Sequence, residues 1–385
     1  MSNIGTWVQR TAQDWLVFSE LTHHNGAAVG TVMALQYAPQ LVLLPWSGLA
    51  ADRLDQRKLL MATQAALGVL GLALAGLTIA GVVVLWHVYL FALLFGIASA
   101  IDAPVRQTFV SELVGDEDLA NAVALNSTSF NLARTVGPAV SGVMIASIGT
   151  GWSFFINGLS FIAVLISLSW LRTDELRPRR RAAPARGGFM EGLRYVRQRP
   201  DLVAILAMLF VIGTFGLNFP IFLSAMGVGV FHADAARYGF LSTAIAIGTV
   251  AGAFWNASRD RIRFKHLTVS ASVFGVGCAV AALVPSYGWF AAALVPIGVA
   301  SLTFTNATNS LMQLSTDAPM RGRVMALRVG IALGGTPIGA PIVGWVADHQ
   351  NPRWALAIGA ASGITAAVIG ACASATARHQ RLGHP

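Results

Sequence analysis

Charge is what this chain has least of. Lys, Arg, Asp and Glu together make up 11% of its 385 residues, where a soluble domain carries about a quarter. It is instead 55% hydrophobic, with a mean hydropathy of +0.64, which excludes a soluble enzyme. Cysteine is scarce as well. Cys278 and Cys372 both fall in apolar runs, without the spacing of a disulfide framework or a metal site, and read as small packing residues. No glycine loop followed by Lys-Ser/Thr is present, which argues against ATP hydrolysis. No Ser-His-Asp or paired-carboxylate constellation stands out, so no catalytic residue is assigned. His23-His24 and the other histidines lack ligand spacing, so neither metal nor cofactor is expected. The period-two alternation of a transmembrane barrel is missing, and Met1 leads straight into a polar segment rather than a cleavable signal peptide.

What is there is a series of long apolar runs. A helix needs about 20 apolar residues to cross a bilayer, and eleven stretches qualify: 27–51, 57–81, 84–106, 119–147, 150–171, 201–228, 235–258, 266–284, 287–312, 322–347 and 352–376. A twelfth, at the start, is interrupted by Asn3, Gln9, Arg10, Gln13, Asp14 and Glu20. It reads as an incomplete first helix, with the true start expected upstream. The fold class is therefore an all-α, multi-pass membrane protein.

The net charge of +9 is one-sided. Arg237 and Arg353 alone occupy loops on one side, Arg10, Arg134 and Arg328 lie inside spans, and the other basic residues crowd the opposite face. That distribution excludes a nucleic-acid partner. It follows the positive-inside rule and places both termini in the cytoplasm.

The chain also repeats itself. Gly96-Ile97-Ala98-Ser99 matches Gly298-Val299-Ala300-Ser301 at an offset of 202 residues, which also carries Ala124-Leu125 onto Ala326-Leu327, Gly142 onto Gly344 and Trp152 onto Trp354. Two six-helix halves, 1–171 and 201–377, follow as parallel repeats. A basic linker over 172–200 joins them, and 378–385 is a tail. Within the linker Phe189, Leu193 and Val196 share one helical face with Arg194 and Arg197 off it. This reads either as an amphipathic helix on the anionic inner leaflet or as a solvated charge run.

Five stretches carry a family resemblance: Gly5-Thr6-Trp7-Val8-Gln9-Arg10 with Gln13-Asp14-Trp15; the loop from Gly48 through Asp52, Arg53 and Asp55 to Arg57 and Lys58; Asp102-Ala103-Pro104-Val105-Arg106-Gln107; Asn121 to Asn126; and Arg134-Thr135-Val136-Gly137-Pro138. Together they resemble the major facilitator superfamily, in its transmembrane-secretion-effector type, over essentially the whole chain. That group includes enterobactin-exporter-like and macrolide-efflux-like proteins. The resemblance implies a major-facilitator fold and roles for particular residues. Gly48, Asp52, Arg53 and Arg57 would latch the two halves at the cytoplasmic face, near Arg321 to Val324, although Asp55 stands where the common pattern has Gly. Gly137, Pro138 and Gly142 in the fifth span, with Pro337 in the eleventh, would form a hinge and seal; plain close packing is the alternative. The basic residue of many drug antiporters is missing before Gly96, where the run is Leu90 to Phe95.

Ionisable groups within spans are costly and so are candidates for function. Arg10 and Asp14 stand four apart in the first span, Asp102 and Arg106 in the fourth, with Arg134 in the fifth and Arg328 in the eleventh. Asp14 and Arg134 fall at similar depth, so they are expected to pair across helices, either structurally or in coupling. In this fold helices one, four, seven and ten line the cavity. Gln13, Thr214, Phe215, Asn218, Asn306, Asn309 and Gln313 are the lining candidates, with Phe219 and Phe222 extending an aromatic wall. Such a cavity suits a bulky amphiphile. Taken together, these features predict a monomeric secondary transporter in a bacterial inner membrane, with protons, lipid and a small organic solute as partners. It would export a drug- or siderophore-like solute by proton-coupled alternating access. An uptake permease and a transport-inactive scaffold or sensor are the alternatives.

Overall fold

The computed structural model describes residues 2–43, 46–47, 54–115, 117–172, 188–258, 263–317 and 319–382, and among these every regular element is helical. In chain order they are α1 (Ser2–Trp15, continued by a π-helix over Leu16–Leu21), α2 (Gly26–Val42), α3 (Gln56–Ile79), α4 (Leu85–Leu113), α5 (Leu119–Trp170) and α6 (Gly188–Arg197). Then come α7 (Pro200–Val211, followed by a π-helix over Ile212–Gly216), α8 (Phe219–Leu223, followed by a π-helix over Ser224–Val230), α9 (Ala235–Ala257), α10 (Phe264–Leu283), α11 (Tyr287–Leu314), α12 (Arg321–His349) and α13 (Pro352–Leu382).

Nine stretches of the described residues are long and apolar enough to cross a membrane. One of them, Asn121–Trp170, is two spans bent at Gly149, whose φ of 84° lies in the region open to glycine. Counting it twice, and adding the polar α1 and the 17-residue α2, gives twelve helices. α1 runs 14 residues and its π extension 6, about 30 Å at 1.5 Å per residue, which is close to the hydrocarbon thickness. It is polar because it is an inner helix: Val8, Gln9, Ala12, Gln13, Asp14 and Leu16 are all buried.

Local signals explain the helix starts. The Asn25 side chain accepts the Ala28 N–H at 2.8 Å, and the Asp55 side chain accepts the Lys58 N–H at 3.0 Å. Asp55 therefore caps α3, which accounts for an acidic residue at that place in the loop. The rest of the loop that holds Gly48, Asp52 and Arg53 lies outside the described residues. So does most of the basic linker, 173–187.

Contacts divide the chain into two compact units: Met1–Ala183 with Ala233–Phe240, and Pro184–His232 with Leu241–Pro385. Two boundaries differ from the sequence expectation. The stretch Ala233–Phe240 clusters with the first unit, where Tyr238 meets Trp15 at a ring separation of 5.2 Å. The end of the linker clusters with the second unit, because α6 packs on α12. A Cβ on Gly192 would lie 3.0 Å from Arg323 Cβ, Val196 is 4% exposed, and Glu191 pairs with Arg323 at 2.9 Å. A protein surface, α12, thus takes part of the apolar face expected on lipid. Phe189 lies outside the side chains described. The expected tail is helical as far as Leu382.

The repeat has a physical basis in packing. In the first unit a Cβ on Gly96 would lie 2.7 Å from the Gln36 carbonyl oxygen of α2. In the second unit a Cβ on its repeat mate Gly298 would lie 2.5 Å from the Ile245 carbonyl oxygen of α9. Only glycine permits such backbone contact. The same residue at the same place in each half therefore preserves the same close crossing of helices.

Candidate functional site

In the first unit, polar groups form a ladder along α1. At its start Asn3 Oδ1 accepts a short hydrogen bond from Arg106, and Asn3 Nδ2 donates to Ser129 Oγ at 3.4 Å. Arg106 pairs in turn with Asp102 at 3.1 Å. Asp102, 2% exposed, also accepts from Thr63 Oγ1 at 2.9 Å and Gln64 Nε2 at 2.7 Å. A buried carboxylate with three donors is fully compensated, so this cluster ties α1, α3, α4 and α5 together.

Two turns further along, Asn157 of α5 donates a short bond to Gln9 Oε1. Gln13 then donates to the Val88 carbonyl at 3.2 Å and accepts from Gln36 Nε2 at 3.3 Å. Arg10 leaves this ladder. Its guanidinium donates to Tyr37 OH at 3.0 Å and lies 5.1 Å from the rings of both Trp7 and Tyr37.

Asp14 is 5% exposed, and no hydrogen bond or ion pair reaches it among the described residues. The expected pair with Arg134 does not form. Arg134 is exposed on α5 and stands within electrostatic reach of Tyr37, the residue that also holds Arg10. Depth along two helices is readable from a sequence, but rotation about the helix axis is what decides a pair.

The glycine-rich stretch of α5 packs in sequence order. A Cβ on Gly137 would lie 2.5 Å from Trp7 Cβ, and Ser141 Oγ donates to the Val8 carbonyl at 3.0 Å. Gly142 meets Gly239 backbone to backbone, a Cβ on Gly239 lying 2.6 Å from Gly142 Cα. Pro138, half-buried, sits inside the helix beside these contacts. Arg57 donates to the Leu168 and Ser169 carbonyls at 2.9 and 3.0 Å and so closes the C-terminal end of α5.

In the second unit the path from α7 to the π-helix at Ser224–Val230 is the most buried membrane stretch, at 61% against 28–50% for the others. It is also the most irregular, with two π-helices and a break at Leu217-Asn218. Asn218 is wholly buried, and its amide donates to the Thr214 carbonyl at 2.8 Å, a group the helix break leaves open. Thr214 Oγ1, Asn218 Oδ1 and Ser224 Oγ have no hydrogen-bond partner among the described residues. Gly335 and Gly339 of α12 press on this turn, a Cβ on Gly335 lying 2.6 Å from Thr214 Oγ1. Pro337 stands between them on the same helix.

Asn218 thus turns its amide nitrogen to its own helix, while its Oδ1 stays open among the described residues. Of the aromatic residues nearby, Phe222 is buried and Phe219 half-buried. Phe219 meets Phe222 and Phe274 edge-on at 6.2 and 6.3 Å, while Phe215 stays half-buried. Asn306 and Asn309 are half-buried, and Gln313 is exposed. Arg328 donates to the Thr305 carbonyl at 3.2 Å, its Nε buried and without a hydrogen-bond partner among the described residues.

The sequence carries no site signal for Gln36, Thr63, Gln64 and Asn157, and marks Gln9 only as a polar interruption of the first span. Among the described residues no group of three His, Cys, Asp or Glu side chains stands close enough to hold a metal.

Twelve helices in this order, with hydrogen-bonded polar groups buried along an inner helix, define a transporter with the major-facilitator fold. The family model described as transmembrane secretion effector matches residues 1–380, and the chain belongs to that family. Among curated proteins it is 27% identical to the multidrug efflux pump Tap of Mycolicibacterium fortuitum, over 89% of this chain and 86% of that one. It is 24% identical to the enterobactin exporter EntS of Escherichia coli, over 91% and 83%. It is 30% identical to the staphyloferrin A transporter of Staphylococcus aureus over 43% of this chain, a match spanning 42% of that protein. Two solved structures share the fold. A bacterial homolog of the human lysosomal transporter Spinster, inward-facing and unoccupied, has a TM-score of 0.69 at 18% identity, covering 97% of this chain and 93% of that one. The nucleoside transporter NupG has a TM-score of 0.72 at 14% identity, covering 97% and 98%.

Proposed function

We propose that this transporter exports a small organic solute, drug- or siderophore-like, by alternating access coupled to protons moving inward. Its setting is a bacterial inner membrane, with both termini in the cytoplasm and the protein acting as a monomer. Export is carried by the near full-length similarity to two proteins named for efflux, over 89% and 91% of this chain. Coupling rests on Asp14. It is a carboxyl 5% exposed on an inner helix, with no hydrogen bond or ion pair among the described residues, and an ionisable group placed so within a span is a candidate proton carrier. In this reading Asp14 carries one proton across in each transport cycle. The Asp102 carboxylate, held by Arg106, Thr63 and Gln64, is compensated as the anion and serves as a fixed tie.

The latch role of Gly48, Asp52 and Arg53 belongs to this proposal, as does the hinge role of Gly137, Pro138, Gly142 and Pro337. Gln13, Phe215, Asn306, Asn309 and Gln313 remain the solute-facing candidates. Inside-out vesicles given a dye substrate and an acid interior should accumulate it, and Asp14→Asn should abolish that accumulation while the protein inserts normally. Accumulation in right-side-out vesicles instead would establish uptake. Flux that does not respond to pH in the native protein would end the coupling assignment.

A further inference from the structure

The second unit carries a groove of about 490 Å³ whose floor and walls include Trp255 of α9, Lys265, Val269 and Val273 of α10, and Ala300 and Thr303 of α11. Val269 is 58% and Val273 44% exposed, so the wall offers hydrocarbon to whatever surrounds it. The polar groups of the floor are already engaged. Asn256 Nδ2 donates to Thr303 Oγ1 at 3.3 Å, and Ser270 Oγ donates to the Leu267 carbonyl at 3.0 Å. The floor therefore presents carbon and methyl surface inward.

One end of the groove is chemically different. Lys265 stands exposed in the first turn of α10, and among the described residues its ammonium makes no hydrogen bond or ion pair. Arg263, also exposed, precedes the helix. Trp255, 56% exposed near the end of α9, flanks them as an aromatic residue at a membrane face. From Lys265 to Val273 the helix rises about 12 Å. The groove is thus cationic at the membrane face and apolar for two turns beneath it.

We propose that this groove holds one anionic phospholipid, its phosphate at Lys265 and Arg263 and an acyl chain along Val269, Val273 and Ala300. Charge complementarity selects the occupant. A zwitterionic headgroup carries its own cation against the lysine, and a water-soluble anion leaves the apolar two turns uncovered. The site does not depend on the direction or the solute of transport.

Native mass spectrometry of the full chain in detergent, given phosphatidylglycerol or phosphatidylcholine at equal concentration, tests it. One phosphatidylglycerol should be retained over phosphatidylcholine. Lys265→Gln should lower its occupancy about fivefold, the weight of one basic residue at an anionic surface. Val273→Trp, filling the groove from an exposed position, should remove it. Lys58→Gln, at an exposed lysine at the start of α3, should leave it unchanged. Equal retention of the two lipids would overturn the proposal, as would a loss in Lys58→Gln matching that in Lys265→Gln.

Discussion

Gly339 lies so close to the Thr214 carbonyl that no side-chain carbon fits between α12 and the π-helical turn at Ile212–Gly216. The π-helix widens the backbone of the seventh span just where α12 presents its two glycines, four residues apart. The open carbonyl is then met by the Asn218 amide instead of by a regular helical N–H.

Gly339→Leu should destabilise the second unit by about 1–3 kcal/mol or more, because the added side chain meets backbone that has nowhere to move. Gly330→Ala, on the same helix with nothing within 4 Å of its added carbon, should be neutral or stabilising by about 0.5–1 kcal/mol. Thermal unfolding of the two variants in detergent separates a packing glycine from an incidental one. Equal stability of the pair would rule out the close contact.

Asp102 carries three donors in a buried setting, so its neutral and truncated variants should rank. Asp102→Asn keeps acceptor and shape and should cost about 1–2 kcal/mol, while Asp102→Ala strands Arg106, Thr63 and Gln64 and should cost about 3 kcal/mol. The midpoint of thermal aggregation reports both. Identical midpoints for Asp102→Asn and Asp102→Ala would show that charge and hydrogen bonding at this position carry no weight.

Arg57 reaches two successive carbonyls at the end of α5, which a forked guanidinium does and a lysine does not. Arg57→Lys should therefore lose most of the stabilisation that Arg57→Ala loses, about 0.5–1.5 kcal/mol. Faster hydrogen exchange over residues 165–170 is the expected signature in both variants, and native-like protection in Arg57→Lys would contradict it.

Tyr195 ties α6 to the turn before α12. Its hydroxyl donates to Asp317 Oδ2 at 3.0 Å and accepts from the Asp317 N–H at 3.2 Å and from Arg199 at 3.3 Å. Arg199 also forms a fork with Asp201 at 3.0 and 2.9 Å, which raises its already high pKa, so this tie holds its charge at every physiological pH. Tyr195→Phe should increase protease cutting between residues 188 and 199 severalfold without lowering the midpoint of global unfolding. Unchanged cutting would place the anchoring of α6 elsewhere.

The spans were legible because twenty-residue apolar runs have few other uses, and the Gly96 and Gly298 repeat because close helix crossings tolerate nothing larger. The partners of charged residues were not. Arg10 gives its hydrogen bond to Tyr37 and stays only within electrostatic reach of Asp14, because an aromatic face with a hydroxyl satisfies a guanidinium, and no sequence rule ranks it against a carboxylate four residues on. Gln9 with Asn157, and Gln64 with Asp102, were invisible for the opposite reason. Each amide is unremarkable alone and gains meaning only when the fold sets its partner opposite. Around Asn218 regular helical spacing does not hold, because two π-helices and a break interrupt the segment.

Gly149 joins the fifth and sixth spans with a single residue of positive φ, leaving no slack between them. The contact of Gly142 with Gly239 lies seven residues before that corner, and the bond of Asn157 to Gln9 lies eight after it. The two arms therefore meet at one residue, with these two contacts on either side of it. The Gly239 contact and the buried amide of the first helix are held by one continuous stretch of chain.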